Sequence, residues 1–198
     1  MSRVTKDSEV RRQEIIETAR GLFTTVGYKE TQIKDITREM NVAQGLIYHY
    51  FKSKLDILYA VLDLIFSEKG AQLDELIKGH TGSTLEVLHF LFKSRMENHQ
   101  EEDWLTELID DAIVVAYCRN KMVDLSIPVL ADIIVRGNED GSWVCEFPTE
   151  IATFISHGVS ALLIARRFKK EDDALDELIY ALLLRVLNVQ PNMSGSYY

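Results

Sequence analysis

Glu86 and His89 have the Glu-x-x-His spacing with which helical bundles hold paired iron ions. Such a centre needs a second copy of the motif and two further inward glutamates, and the sequence has no second copy. His80, His89, His99 and His157 form no His-Glu-x-x-His pattern, and neither a phosphate-binding glycine loop nor a serine nucleophile elbow is present. Cys118 and Cys145 lack any Cys-x-x-Cys arrangement, which points to buried free thiols rather than a zinc site or a disulfide framework. No catalytic constellation, metal site or cofactor motif therefore emerges. The remaining chemistry is recognition. Gln44 carries a carboxamide able to pair bidentately with adenine, Gly45 permits close backbone approach, and Leu46 can touch a thymine methyl, provided that a short helix carries all three into a groove.

The elements around these residues supply that helix. Ile15, Ile16, Ala19, Leu22, Phe23 and Val26 recur at helical spacing and predict a first helix over 8–26. Gly27 ends it in the left-handed conformation that glycine adopts freely, with Tyr28 folding back as an apolar lid. Thr31 is the expected N-cap of a second helix, about 32–40, whose inner face is Ile33, Ile36 and Met40. Asn41 tolerates positive φ and marks a tight turn, and a third helix follows over 43–50. Two short helices across a tight turn make a helix-turn-helix. The second of the pair enters the major groove by its N-terminal residues, here Ala43, Gln44, Gly45 and Leu46. Lys34 is placed to reach a base or a phosphate, or is a solvated surface lysine. His49 lies on the same helix as the base-reading residues, facing solvent or the groove.

The segment from Thr31 to Lys54, together with Ala19, Phe23, Gly27 and Tyr28, resembles the signature of the TetR family of transcriptional regulators. The resemblance rests on Asp35 and Ile36 in the second helix, Asn41 and Val42 at the turn, Gly45, and the run Ile47-Tyr48-His49-Tyr50-Phe51-Lys52-Ser53-Lys54. It covers roughly the first 60 residues and departs from the family at Asn41, where glycine is usual, at Ala43, where a capping serine is usual, and at Thr37, where alanine is common. The resemblance implies that Tyr48, Tyr50 and Lys54 contact phosphates. It also implies a repressor that binds a palindromic operator as a homodimer and is released by a small effector held between the helices of a larger second domain.

The charge distribution agrees with a divided chain. Residues 1–54 hold 10 basic and 7 acidic side chains, a net +3, whereas 55–198 hold 12 and 24, a net −12, giving the overall −9. The expected organisation is all-α with about nine helices: a three-helix DNA-binding domain over 1–54 and a helical effector-binding and dimerisation domain over 55–198. After a long helix capped by Ser53 and running to about Lys78, and a boundary at 79–83, helices are expected at 84–98, 102–117, 120–136, 149–167 and 171–188. Phe90, Met96, Trp104, Tyr117, Met122 and Phe154 form a supply of aromatic and methionine side chains suited to an apolar effector pocket, although most such residues simply pack. The last two helices are apolar on too many sides to stand in water. Their cover is the protein's own core or a second copy, and the second copy is the expected one, through Phe154, His157, Ala161, Ile164, Tyr180, Leu183 and Leu187. The first residues contain no apolar signal region and no run approaches membrane-spanning length, so a soluble cytoplasmic protein is expected.

Overall fold

The computed structural model describes residues 8–80, 82–97, 108, 111–166 and 173–188, with side chains left out at 92–97, 163–166 and 173–176. Among the described residues there are eight α-helices: α1 (Ser8–Val26), α2 (Ile33–Glu39), α3 (Gln44–Tyr50), α4 (Lys54–Gly79), α5 (Thr84–Glu97), α6 (Ala112–Glu139), α7 (Pro148–Arg166) and α8 (Asp173–Val186). The described residues divide into two compact units. The first comprises residues up to Lys69 together with Gln100–Cys118, and the second Gly70–His99 and Arg119 onward.

In the first unit the apolar stripe of α1 builds the core. Ile15, Ala19 and Phe23 are fully buried and pack with Ile36 of α2, Ile47 of α3 and Ile57, Leu58, Val61 and Leu62 of α4. Each of the larger side chains among these, once withdrawn from water, contributes about 1.5–3 kcal/mol. Gly27 has φ 98°, and the Tyr28 ring turns back edge-on to Phe23 with centroids 5.2 Å apart, as the sequence leads one to expect. Val114 of α6 and Leu108 are also buried in this core. The Tyr117 hydroxyl donates to Asp63 Oδ1 of α4 over 2.7 Å, and burial together with that carboxylate pushes its pKa upward.

The second unit has its own core of Val87 and Leu88 from α5, Ile133 and Ile134 from α6, Trp143, Ala152 and Ile155 from α7, Leu183 from α8 and Leu187 just beyond it. Ser83 caps α5, its Oγ accepting from the Glu86 N–H while the Glu86 carboxylate accepts from the Ser83 N–H at 2.7 Å. The connection between α6 and α7 is tied at several points. The Asn138 carboxamide clasps the backbone N–H and carbonyl of Cys145, both at 2.8 Å. Asp140 accepts from the backbone and hydroxyl of both Ser142 and Thr84.

Two expectations are corrected. Helices expected at 102–117 and 120–136 are one element in the part described, because α6 runs unbroken from Ala112 through Cys118 and Arg119 to Glu139. No glycine or proline interrupts 117–121, and the polar side chains there form one turn of the helix's outer surface. Residues 98–107 lie outside the described residues. Thr31 is not the cap of α2. It is buried, its hydroxyl donates to the Gly27 carbonyl at 2.7 Å, and Gln32 occupies the N-cap position.

Candidate nucleic-acid interface

Helix α2 is fastened at its start by Asp35, whose Oδ2 accepts from the Gln32 backbone N–H at 2.9 Å and whose Oδ1 accepts from Arg38 at 2.9 Å. At its far end the chain reverses at Asn41, with φ 52°. The turn is closed by Asn41 N–H to Arg38 O at 3.1 Å and Val42 N–H to Thr37 O at 3.0 Å. Ala43 follows as the N-cap of α3 and has no side-chain oxygen with which to cap it. Packing therefore holds α3, through the fully buried Ile47 and through Phe51.

With Ile47 pointing inward, the opposite face of α3 is free. Gln44, Gly45, Tyr48 and His49 are all exposed, spaced so that 44 and 48, and 45 and 49, stack one turn apart. A Cβ built at Gly45 would meet nothing within 4 Å, so no internal packing demands glycine there. Ala43 is exposed beside them and Leu46 is half-buried. Tyr50 is half-buried against the core, with the His49 ring edge-on to it at 5.0 Å, and Lys34 of α2 is exposed. Near this surface Arg12 lies over the Phe51 ring, 5.2 Å from its centroid, while Arg3 and Lys6 fall outside the described residues.

Lys54 is placed differently from its neighbours. Its ammonium turns inward onto the α1–α2 turn and donates to the carbonyls of Tyr28 and Thr31, each at 2.9 Å, and of Lys29 at 3.3 Å. It sits 4.3 Å from the centre of the Tyr28 ring. Burial lowers its pKa, countered in part by the Glu30 carboxylate.

The residues named for an effector pocket are not brought together among the described side chains. Phe90 stacks on His80 at 5.2 Å beside an open cleft of about 570 Å³ lined by Gln72, Glu75, Leu76 and Gly79. Tyr117 belongs to the first unit's core, and Met122 and Phe154 are exposed. Trp104 and the side chains of Met96 and Ile164 lie outside what is described. Of the residues named for a dimer contact, Phe154, His157 and Ala161 are exposed along α7. Leu183 and Leu187 are corrected: they are 6% and 1% exposed and fill their own chain's core. Tyr180 packs edge-on to His89 of α5 at 5.0 Å. The outward stripe of α8 is instead Leu178, Leu182 and Val186. Glu177 and Arg185 are exposed as well, on the side of α8 away from the Ile179–Leu183 line.

Among the described residues the regular structure is helical, and the first unit presents the second helix of a helix-turn-helix. Residues 15–61 match the family model described as bacterial regulatory proteins, TetR family. The HTH-type transcriptional regulator HbdR of Aromatoleum sp. strain CIB is 38% identical over 81 residues, covering 41% of this chain and 35% of that relative. The match thus spans little more than a third of that curated relative's length. A TetR-family transcriptional regulator from Pectobacterium atrosepticum has the same fold, with a TM-score of 0.74 at 22% identity, covering 96% of this chain and all of that one. RolR crystallised with resorcinol superposes at a TM-score of 0.66 and 23% identity, covering 92% of this chain and 89% of that one. The similarity to this family is thus carried by residues 15–61, about a quarter of the chain, together with a shared fold. Among the described residues, no helix is long and apolar enough to cross a membrane.

Proposed function

We propose that the chain is a transcriptional repressor that reads operator DNA through the exposed face of α3. The observation that carries this reading is the side-chain division along α3, with Ile47 fully buried and Gln44, Gly45, Tyr48 and His49 turned outward from one rigid helix. Gln44 faces the base edges, and the open space over Gly45 lets a duplex approach the backbone. Tyr48 and Tyr50 offer hydroxyls to phosphates, Lys34 approaches the backbone from α2, and Ala43 and Leu46 complete the contact. A homodimer formed by Phe154, His157 and Ala161 of α7 with Leu178 and Leu182 of α8 presents two such helices. Its operator is therefore palindromic, with half-sites about 34 Å apart.

The second unit senses a small hydrophobic effector, a reading supported by the resorcinol bound to RolR and by the stacked pair His80 and Phe90. The effector releases DNA by favouring the dimer state whose recognition helices are wrongly spaced. The test is binding of the full chain to the duplex flanking its own gene, titrated with salt beside a random duplex. Specific binding is expected, with Tyr48→Phe weakening every sequence alike and Gln44→Ala relaxing one base position at a cost of about 1–3 kcal/mol. Equal affinity of the wild-type chain for both duplexes would sink the proposal.

A further inference from the structure

We infer that Lys54 is a positioning residue for DNA recognition: it fixes the start of α2 by gathering the carbonyls of the α1–α2 turn and is not itself a phosphate ligand. The inference rests on the DNA-binding reading above. An ammonium has three N–H donors and no acceptor. All three have partners here, in the carbonyls of Tyr28, Lys29 and Thr31 at 2.9, 3.3 and 2.9 Å. The face of the Tyr28 ring, 4.3 Å away, holds the same charge by its quadrupole. Swinging Lys54 out to a phosphate would break these bonds together and leave three carbonyls to find other donors.

The geometry explains why a lysine is needed. Residues 28–31 leave α1 at Gly27, where φ is 98°, and deliver the chain to Gln32, the N-cap of α2. Lys54 is the first residue of α4, so one side chain ties α4 to the loop that aims α2, and α2 in turn carries α3 across the Asn41 turn. Burial holds the ammonium's pKa below its ordinary value, as expected of a charge turned into the protein. A point charge with tetrahedral donors can serve three converging carbonyls from one atom, whereas the planar guanidinium of arginine cannot, though arginine serves a phosphate at least as well.

Lys54→Met and Lys54→Arg, made in the full chain, separate the two roles. Both are expected to lower operator affinity about tenfold at fixed salt, with Lys54→Met keeping the wild-type slope of log affinity against log salt. A phosphate ligand would instead lose about 0.9 from that slope in Lys54→Met for the one phosphate released, and Lys54→Arg would restore wild-type affinity. Either result overturns the inference. Amide hydrogen exchange on the DNA-free chain provides an independent arm. The amides of residues 29–32 should exchange at least tenfold faster in Lys54→Met while those of α5 do not change, and unaltered exchange in that turn would also overturn it. A wild-type chain with no operator preference would defeat the DNA-binding reading and this one with it, whereas the exchange result would still stand as a measurement of the clamp.

Discussion

Gly137 lies against the indole of Trp143 so closely that a Cβ at 137 would fall on the ring atoms. The same indole is 3% exposed and its Nε1 donates to the Ile134 carbonyl over 2.9 Å, so it cannot slide aside without losing that bond. Gly137→Ala is therefore expected to destabilise the chain by about 3 kcal/mol in urea unfolding. Displacement of the ring into water should also red-shift its fluorescence. A variant with wild-type stability and emission would show that the ring has room to move.

Asp140 gives a pH-dependent prediction. Burial opposes its ionisation, but the hydrogen bonds donated by Ser142 and Thr84 outweigh this and hold its pKa below the usual carboxylate value. A group depressed in the folded state stabilises the fold above its unfolded pKa, about 3.9, and loses that contribution as pH falls through the folded value. The melting temperature of the native chain should exceed that of Asp140→Asn near neutral pH, and the gap should close on acidification below about pH 4. A gap independent of pH would refute the assignment.

Neighbouring leucines of α8 should behave in opposite ways. Leu182 is 43% exposed and Leu183 only 6%. Leu182→Asp is expected to leave the circular dichroism intact and, for the homodimer proposed above, to shift sedimentation from two chains to one. Leu183→Asp places an unpaired carboxylate in the core and should cost more than about 3 kcal/mol, unfolding the second unit. Two-chain sedimentation of Leu182→Asp would place the dimer contact elsewhere.

At the turn between α2 and α3, Asn41 sits at φ 52°. Alanine there meets the left-handed penalty without the local hydrogen bonding that eases it for asparagine, and Asn41→Ala should cost about 1 kcal/mol. Asn41→Gly should fall within a few tenths of a kcal/mol of the native chain. Denaturant midpoints measured on both variants suffice, and equal loss in the two would mean that side-chain contacts rather than φ govern this position.

Local features were the ones legible in the sequence. The limits of α1, the left-handed Gly27 and Asn41, the Tyr28 lid and the capping of α4 by Ser53, whose Oγ accepts from the Asp56 N–H at 3.0 Å, all depend on residues a few positions apart. Longer-range arrangements were not. The polar run 118–121 resembles a linker until α6 is seen to continue through it. Leu183 and Leu187 look like interface residues because α8 is apolar on two adjacent lines, and tertiary packing decides which line turns inward. Lys54 has the charge expected of a phosphate ligand. Only the folded chain brings the three carbonyls of 28–31 to it from more than twenty residues upstream.

The presence of Val114 in the first unit's core bears on how that unit can be moved between chains. A graft cut at residue 54 would transplant α1, α2 and α3 yet leave behind Ile57, Leu58, Val61, Leu62 and Ile65 of α4 and Val114 of α6, the side chains that close their core. The core of the first unit is thus assembled from two separate stretches of sequence. A working chimaera has to carry both across together.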